Sequence, residues 1–573
     1  MPDVSLPEPR AFDPASARNA RWSPVRPLPL VAGAAANLPD GRVMFWSAED
    51  RFRFGSATGR TYFAFLDPQT GSTSERLVAE TGHNMFCPGT TYLPDGRLLI
   101  NGGIDAPETT LFDPASDTFS RAARMNIPRG YNANTLLQDG SVLTLGGSWS
   151  GSGDKDGEVW TPSSGWRVLR GVPVAPFMQS GTLWGGDSHM WLLTAGNGRV
   201  LHAGPQRDMA WIDPAGEGRV IPIGPRGDDP ESVSGTTVMF EPERVLKAGG
   251  TASPNGDTTA NRSAVLIDLR AGPSVRRVAS MHYARVFHNS VVLPNGQVVV
   301  LGGQTRGVLF SNDFAVLPPE LFDPVTETFT VLPAMSVPRT YHGVALLLAD
   351  GRVLASGGGL CNVADCGDAN HPDYQALSPP YLFNADGTPA VRPAIASAPD
   401  SVAYGRRVRV TGDASIRAFA MVRLSIATHS INHDQRRVPI PFRTVEPGVF
   451  ELEIPSNPGV LLPGAWMLFA MNANGTPSMS RTVTVGLDGA PAVSNPGDVS
   501  WRAAGAVRLA MRGVDPGGRA LAWRAQGLPP GVTIDAASGL IQGAPEAPGR
   551  HVVTVVADNG LQAIGTWFVV RVE

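Results

Sequence analysis

The chain alternates short apolar runs with turn residues, and few stretches show helical periodicity. One unit recurs. The stretch "LPDGRVMFWS" (38–47) returns as "LPDGRLLINGG" (93–103), "LQDGSVLTLGG" (137–147), "AGNGRVLHAGP" (195–205), "PERVLKAGG" (242–250), "LPNGQVVVLGG" (293–303) and "LADGRVLASGG" (348–358). Asp-Gly or Asn-Gly supplies the positive φ of a tight hairpin turn. The Gly pair lets two backbones approach closely. A turn, an apolar strand and a Gly pair repeating roughly every 50 residues predict a β-propeller. Seven units predict seven blades over about residues 20–386. The stretch "RWSPVRPLPL" (21–30) matches "GWRVLRGVPV" (165–174), a later strand of another unit. It is predicted to supply the strand that the seventh unit lacks, closing the ring and removing a free edge.

Residues 1–19 form an N-terminal extension ahead of the ring. Beyond it a different pattern of alternating strands covers 387–487. After the linker "GAPAVSNPGD", residues 488–573 carry "LPPGVTIDAASGLIQGAPEAPGRHVVTVVADNG", which reads as a small immunoglobulin-like sandwich. The expected fold class is all-β, a seven-bladed propeller followed by two β-sandwich domains.

Composition agrees. The 573 residues include 65 Gly and 51 Pro, with only 17% charged, which suits many short strands joined by turns. A net charge of -4 without a basic block argues against a nucleic-acid partner. No apolar run reaches the 18 or so residues of a membrane span. A closed ring offers no edge for pairing, so a monomer is expected.

Three cysteines change the picture. Cys361 and Cys366 are five apart and can pair, although so short a loop adds little stability. They favour an oxidising compartment. The opening "MPDVSLPEPR" has no signal-peptide pattern. The expectation is a secreted, extracellular or periplasmic protein whose signal peptide is not in this chain. Cys87 is left over.

Repeat phase locates it. Blades are equivalent, so residues at one phase sit at one height around the channel. Cys87 lies eight residues before its turn Asp95, Tyr131 eight before Asp139, His342 eight before Asp350 and His189 eight before Asn197. His288 lies seven before Asn295, and Tyr341 adjoins His342. A thiol, two phenols and several imidazoles are thus expected at one mouth of the channel. Structural zinc prefers more Cys; imidazole and phenolate suit copper or iron. Taken singly, each has a plainer reading. A lone buried Cys is usually an inert small apolar group, and an inward His or Tyr often just satisfies backbone.

The motifs "MFCPG" (85–89), "PRGY" (128–131), "GGSWSG" (146–151), "PRTYH" (338–342) and "ATHSINHDQRRVP" (427–439) together resemble the galactose oxidase family of copper-radical oxidases, in order, over about 20–487. The resemblance implies a kelch-type propeller and one copper ion bound by Tyr131, Tyr341, His342 and His429, with Tyr341 axial. It implies a thioether between Cys87 and the Tyr131 ring, stacked under Trp149. Together these make a protein-derived radical cofactor. The implied reaction oxidises a primary alcohol to an aldehyde and reduces O2 to H2O2, with Tyr341 as general base. His433, four after His429, is a competing ligand by spacing; the resemblance favours His429. His189 and His288 match no ligand and are expected to line the channel, hydrogen-bonded.

The chain departs from galactose oxidase where the sugar is gripped. Gly185 stands at the position of an arginine, and "GGTASPNGDTTANR" (249–262) lacks an aromatic–Gln pair. The apolar walls Phe54, Leu309 and Phe310 remain. A pocket without buried donors favours less polar substrates, so poor activity on galactose is expected. The alternatives are an aldehyde oxidase of glyoxal oxidase type and a non-catalytic kelch binding protein.

Overall fold

The computed structural model describes residues 10–178, 186–253, 258–362, 366–432 and 434–573. Among them the chain is almost entirely β. Seven antiparallel sheets of four or five strands follow one another. Their innermost strands are Ala34–Asn37, Gly89–Tyr92, Ala133–Leu136, Trp191–Thr194, Thr236–Glu241, Val286–Val292 and Gly343–Leu347. Each pairs across a tight turn with the apolar strand of its repeat, as Gly343–Leu347 does with Val353–Gly357. Most inner strands pack beside the next sheet's inner strand, and Gly343–Leu347 packs on Ala34–Asn37, so the last sheet meets the first.

The Gly pairs explain the close joints. At Gly146 (φ +75) a Cβ would lie 2.3 Å from the Asp187 carbonyl oxygen, and at Gly357 (φ +72) 2.2 Å from that of Ala32. Only glycine accommodates both the positive φ and the contact. Arg21–Trp22 pairs antiparallel with Leu377–Ser378, and Arg26–Pro27 with Asp373–Tyr374. The N-terminal segment thus supplies the outer strand of the last sheet.

Buried arginines brace three joints. Arg129 donates to the Gly146 carbonyl at 3.0 Å and to Glu158 at 2.9 Å. Arg285 donates to Gly302 at 2.9 Å and to Glu320. Arg339 donates to Gly357 at 3.0 Å and pairs with Asp373. Arg129 and Arg285 are fully buried and Arg339 nearly so, which only paired and hydrogen-bonded charges tolerate.

Past the ring, two sheets pair around Arg407–Gly412 and Gly464–Asn472. From them a hairpin enters the channel. Its strand Ile426–Thr428 pairs with Ala34–Ala36, Ala34 opposite Thr428. On its return, Asp434 accepts from Thr91 Oγ1 and Tyr92 N, Gln435 from Val292 N, and Arg436 donates to the Thr194 carbonyl. Four inner strands thereby fix the hairpin's depth. The last module is a sandwich with its own core around Trp523, Val553 and Phe568. It is anchored by Asn495 to the Asn197 carbonyl (2.8 Å), by Gln562 to Tyr404 N (3.0 Å) and by the Arg406–Asp558 ion pair.

Candidate active site

The phase-equivalent residues share one unusual backbone state. Cys87 (φ 58), Tyr131 (φ 65), His189 (φ 53), Ser234 (φ 53), Phe287 (φ 63) and His342 (φ 66) are all left-handed. Each stands at the start of an inner strand, in six successive sheets. Non-glycine residues in this region cost about 1–2 kcal/mol each and persist only where surroundings over-determine them. The arginine braces do so for Tyr131, Phe287 and His342, each two or three residues further on. The occupant of the sixth sheet is therefore Phe287, not His288. His288 is one residue on, where alternation turns it away from the mouth. It reaches Thr236 Oγ1 (3.2 Å) and the Ala248 carbonyl (3.1 Å).

The donors converge. Tyr131 and Tyr341 approach oxygen to oxygen at 2.6 Å. One ring nitrogen each of His342 and His429 and Cys87 Sγ lie within 4.8 Å of one another, with Cys87 Sγ 3.5 Å from His429 Nε2. His429 comes from the channel hairpin and also has positive φ (56). Cys87 and Tyr131 are joined through backbone, Tyr131 N donating to the Cys87 carbonyl at 2.9 Å. The Trp149 indole stacks on the Tyr131 ring at 4.6 Å between centroids and 20° between planes. His189 is drawn into the same cluster, its ring 4.4 Å from both Tyr131 and His429.

The imidazole tautomers are set from behind. His342 Nδ1 donates to the Gly359 carbonyl at 2.6 Å, leaving Nε2 a lone pair that is buried without a hydrogen-bond partner. Thr428 Oγ1 spends its proton on the Gly33 carbonyl and so accepts from His429 Nδ1 at 2.8 Å. His429 Nε2 is then the unprotonated nitrogen, with Cys87 Sγ beside it. Burial lowers His342 to about 4. It lowers His429 well below the usual histidine range, helped by His189 and His342. Both are neutral at pH 7. Burial likewise pushes the Cys87 thiol up, against the opposing pull of Tyr131, and raises both phenols. Two neutral imidazole nitrogens and two phenol oxygens form a donor set that fits a copper ion.

Aromatic groups wall the mouth. Phe54 stacks on Phe86 at 4.3 Å and faces Phe310 at 6.2 Å. Phe310 meets the Tyr341 ring edge-on at 5.3 Å, and Leu309 packs in the same cluster. Phe86, edge-on to His342 at 5.3 Å, is a wall that the sequence reading passed over. So are Thr428 and Gly359. The recurring Arg ahead of Tyr131, Phe287 and His342 was the available signal for the braces. Cys361 and Cys366 form a disulfide. Gly185 and His433 lie outside the described residues.

Fold and donor set together define a copper-oxidase type of protein, and comparison with known proteins agrees. Residues 392–485 match the model of the galactose oxidase-like early set domain, 246–381 that of the glyoxal oxidase N-terminus, and 490–573 that of a putative Ig domain. The chain is 39% identical to a galactose oxidase of Gibberella zeae over 483 residues, 81% of this chain and 70% of that one. It is 27% identical to an aldehyde oxidase, GLOX, of Vitis pseudoreticulata over 70% of this chain and 81% of that one. A solved structure of a fungal alcohol oxidase in complex with copper superposes with a TM-score of 0.79 at 38% identity, covering 82% of this chain and 100% of that one. The protein belongs to the galactose oxidase family.

Proposed function

We propose that this protein is a copper-radical oxidase that converts primary alcohols to aldehydes and reduces O2 to H2O2. The observation that carries it is the pair of buried, unprotonated Nε2 atoms of His342 and His429 beside the close Tyr131–Tyr341 phenol pair. His342, His429, Tyr131 and Tyr341 would hold the copper, and Cys87 would be bonded through sulfur to the Tyr131 ring. When bound, the copper and that cross-linked ring each supply one of the two electron capacities an alcohol oxidation needs.

The chain's own groups account for the rest. Tyr341 Oη stands where it can take the hydroxyl proton of an alcohol held at the mouth. The Trp149 indole covers the Tyr131 ring and keeps water from it. Phe54, Leu309 and Phe310 orient the substrate's apolar part, and no arginine occupies the Gly185 position. The copper-bearing alcohol oxidase and the galactose oxidase among the relatives favour the alcohol reading. The division into a propeller at 20–386 and sandwich modules at 387–487 and 488–573 belongs to the same reading, as does residence in an oxidising compartment, for which the disulfide argues.

The second reading, an aldehyde oxidase acting on the hydrated aldehyde, is favoured by the match over 246–381 and the GLOX relative. Peroxide production from benzyl alcohol, simple alkanols, glycerol, galactose and methylglyoxal separates the two. Benzyl alcohol is expected to show the highest kcat/KM. Galactose or methylglyoxal in first place would overturn the assignment. Copper loading in air followed by reduction, alkylation and digestion should yield a Cys87–Tyr131 cross-linked peptide by mass spectrometry; free alkylated Cys87 would return the protein to a kelch-type binding role.

A further inference from the structure

A disulfide closing so short a loop contributes little through chain entropy, yet its flanks are bonded on both sides to the loops that carry the pocket walls. On one side the Cys361 carbonyl accepts from Phe54 N at 3.0 Å. Asn370 Nδ2 donates to the Phe52 carbonyl at 2.9 Å, and its Oδ1 accepts from Leu360 N at 2.6 Å. On the other side Asn312, two residues beyond Phe310, donates to the Asp368 carbonyl and accepts from His371 Nε2 at 2.9 Å. Between them, the Gly359 carbonyl holds His342 Nδ1. The stretch that carries this disulfide, through Cys361 on one side of it and Asp368, Asn370 and His371 on the other, therefore ties a loop of the first sheet to a loop of the sixth. Phe54, Leu309 and Phe310 all lie on these loops outside any strand, so no β-ladder fixes their separation. Phe52 and Phe314, 45% and 47% exposed, extend the same apolar rim outward.

We infer that the Cys361–Cys366 disulfide, with Asn312, Asn370 and His371, is a brace that sets the gap between the Phe54 wall and the Leu309–Phe310 wall, and with it the preference for alcohols bearing an apolar group beside the carbinol. These are positioning residues; none touches the reacting atoms. The inference rests on the alcohol-oxidase reading for its substrate consequence, and on the hydrogen bonds alone for the coupling of the loops.

Two measurements test it. In the copper-loaded full chain, Asn312→Ala and Asn370→Ala should each raise KM for benzyl alcohol by about 5- to 30-fold, as losing a part-buried hydrogen bond or two predicts, and leave kcat within about 2-fold. Ethanol, too small to span the walls, should keep its kcat/KM within about 2-fold. Unchanged KM for benzyl alcohol overturns the proposal. So does an equal loss on both alcohols with a lowered thermal midpoint, the mark of general destabilisation.

Separately, hydrogen–deuterium exchange of the metal-free chain is followed before and after excess dithiol reduces Cys361–Cys366 to two thiols, the dithiol itself becoming a disulfide. Peptides spanning 50–56 and 305–315 should both exchange faster. Unchanged exchange in either one overturns the brace. If the wild type makes no peroxide from any alcohol, the functional reading fails while the exchange result still decides the coupling.

Discussion

The phenol oxygens of Tyr131 and Tyr341 lie 2.6 Å apart, although 210 residues separate them in the chain. Burial holds both protonated, with Cys87 adding to the upward push. Two neutral phenols share that contact through one proton. Binding of a copper ion by either as phenolate releases a proton. Copper affinity should therefore rise with pH, about tenfold per unit for each proton displaced. A calorimetric titration in buffers of differing ionisation enthalpy counts those protons, and a count of zero excludes phenolate binding.

Thr428 Oγ1 holds His429 Nδ1 at 2.8 Å, so it would act on a bound copper only through that ring. Thr428→Val keeps the shape and removes the acceptor, which frees the imidazole to rotate or change tautomer. Copper affinity should drop about 10- to 100-fold, as loss of a group orienting a metal-bound histidine does elsewhere. Competition against a chelator of known affinity measures it. An unchanged affinity would show that strand pairing alone orients the ring.

Arg129 and Glu158 are both fully buried. Arg129→Met leaves the Glu158 carboxylate buried without its counter-charge, held only by Asn126 and the Ile127 N–H, and should cost about 3–5 kcal/mol by urea denaturation. Replacing both by Met should cost much less, since no charge is then stranded. Equal costs would mean that packing, not charge, decides the joint.

Acid should loosen the metal-free protein by a definite route. Burial lowers His83 to about 4 and His288 to about 3 from an ordinary value of 6.5. The folded state thus holds these rings neutral while the unfolded chain protonates them first. The stability they contribute is complete above pH 6.5 and is lost as pH falls from there through about 4 for His83 and about 3 for His288, on the order of 3 kcal/mol for His83. His83→Gln should flatten the pH slope of unfolding free energy in that window. A slope identical to wild type would refute the assignment.

Trp149 shields the Tyr131 ring by stacking alone. Trp149→Ala should leave copper affinity within about 3-fold, because no donor is removed, while shortening the lifetime of the oxidised enzyme at least tenfold. Decay of its visible absorption after chemical oxidation gives the readout, and an unaltered decay would count against shielding.

Much of this was legible in the chain before folding. The repeated turn, strand and Gly pair have short-range causes: a positive φ at Asp-Gly and a backbone contact that admits no Cβ. These act within one repeat, so the all-β ring and the phase of Cys87, Tyr131, His189 and His342 could be read from spacing. At the sixth repeat the strict phase, eight before Asn295, falls on Phe287, and Phe287 rather than His288 has the shared left-handed backbone. The family motifs drew attention to Trp149 and His429, but motif matching does not say how an imidazole faces. Only the tertiary structure decided that. It brought His429 to the mouth through the register of Thr428 on Ala34, chose the tautomers through Gly359 and Thr428, and tied the pocket loops together through Asn312 and Asn370. These contacts join residues tens to hundreds of positions apart, and their geometry depends on how all the sheets close at once, which no local pattern encodes.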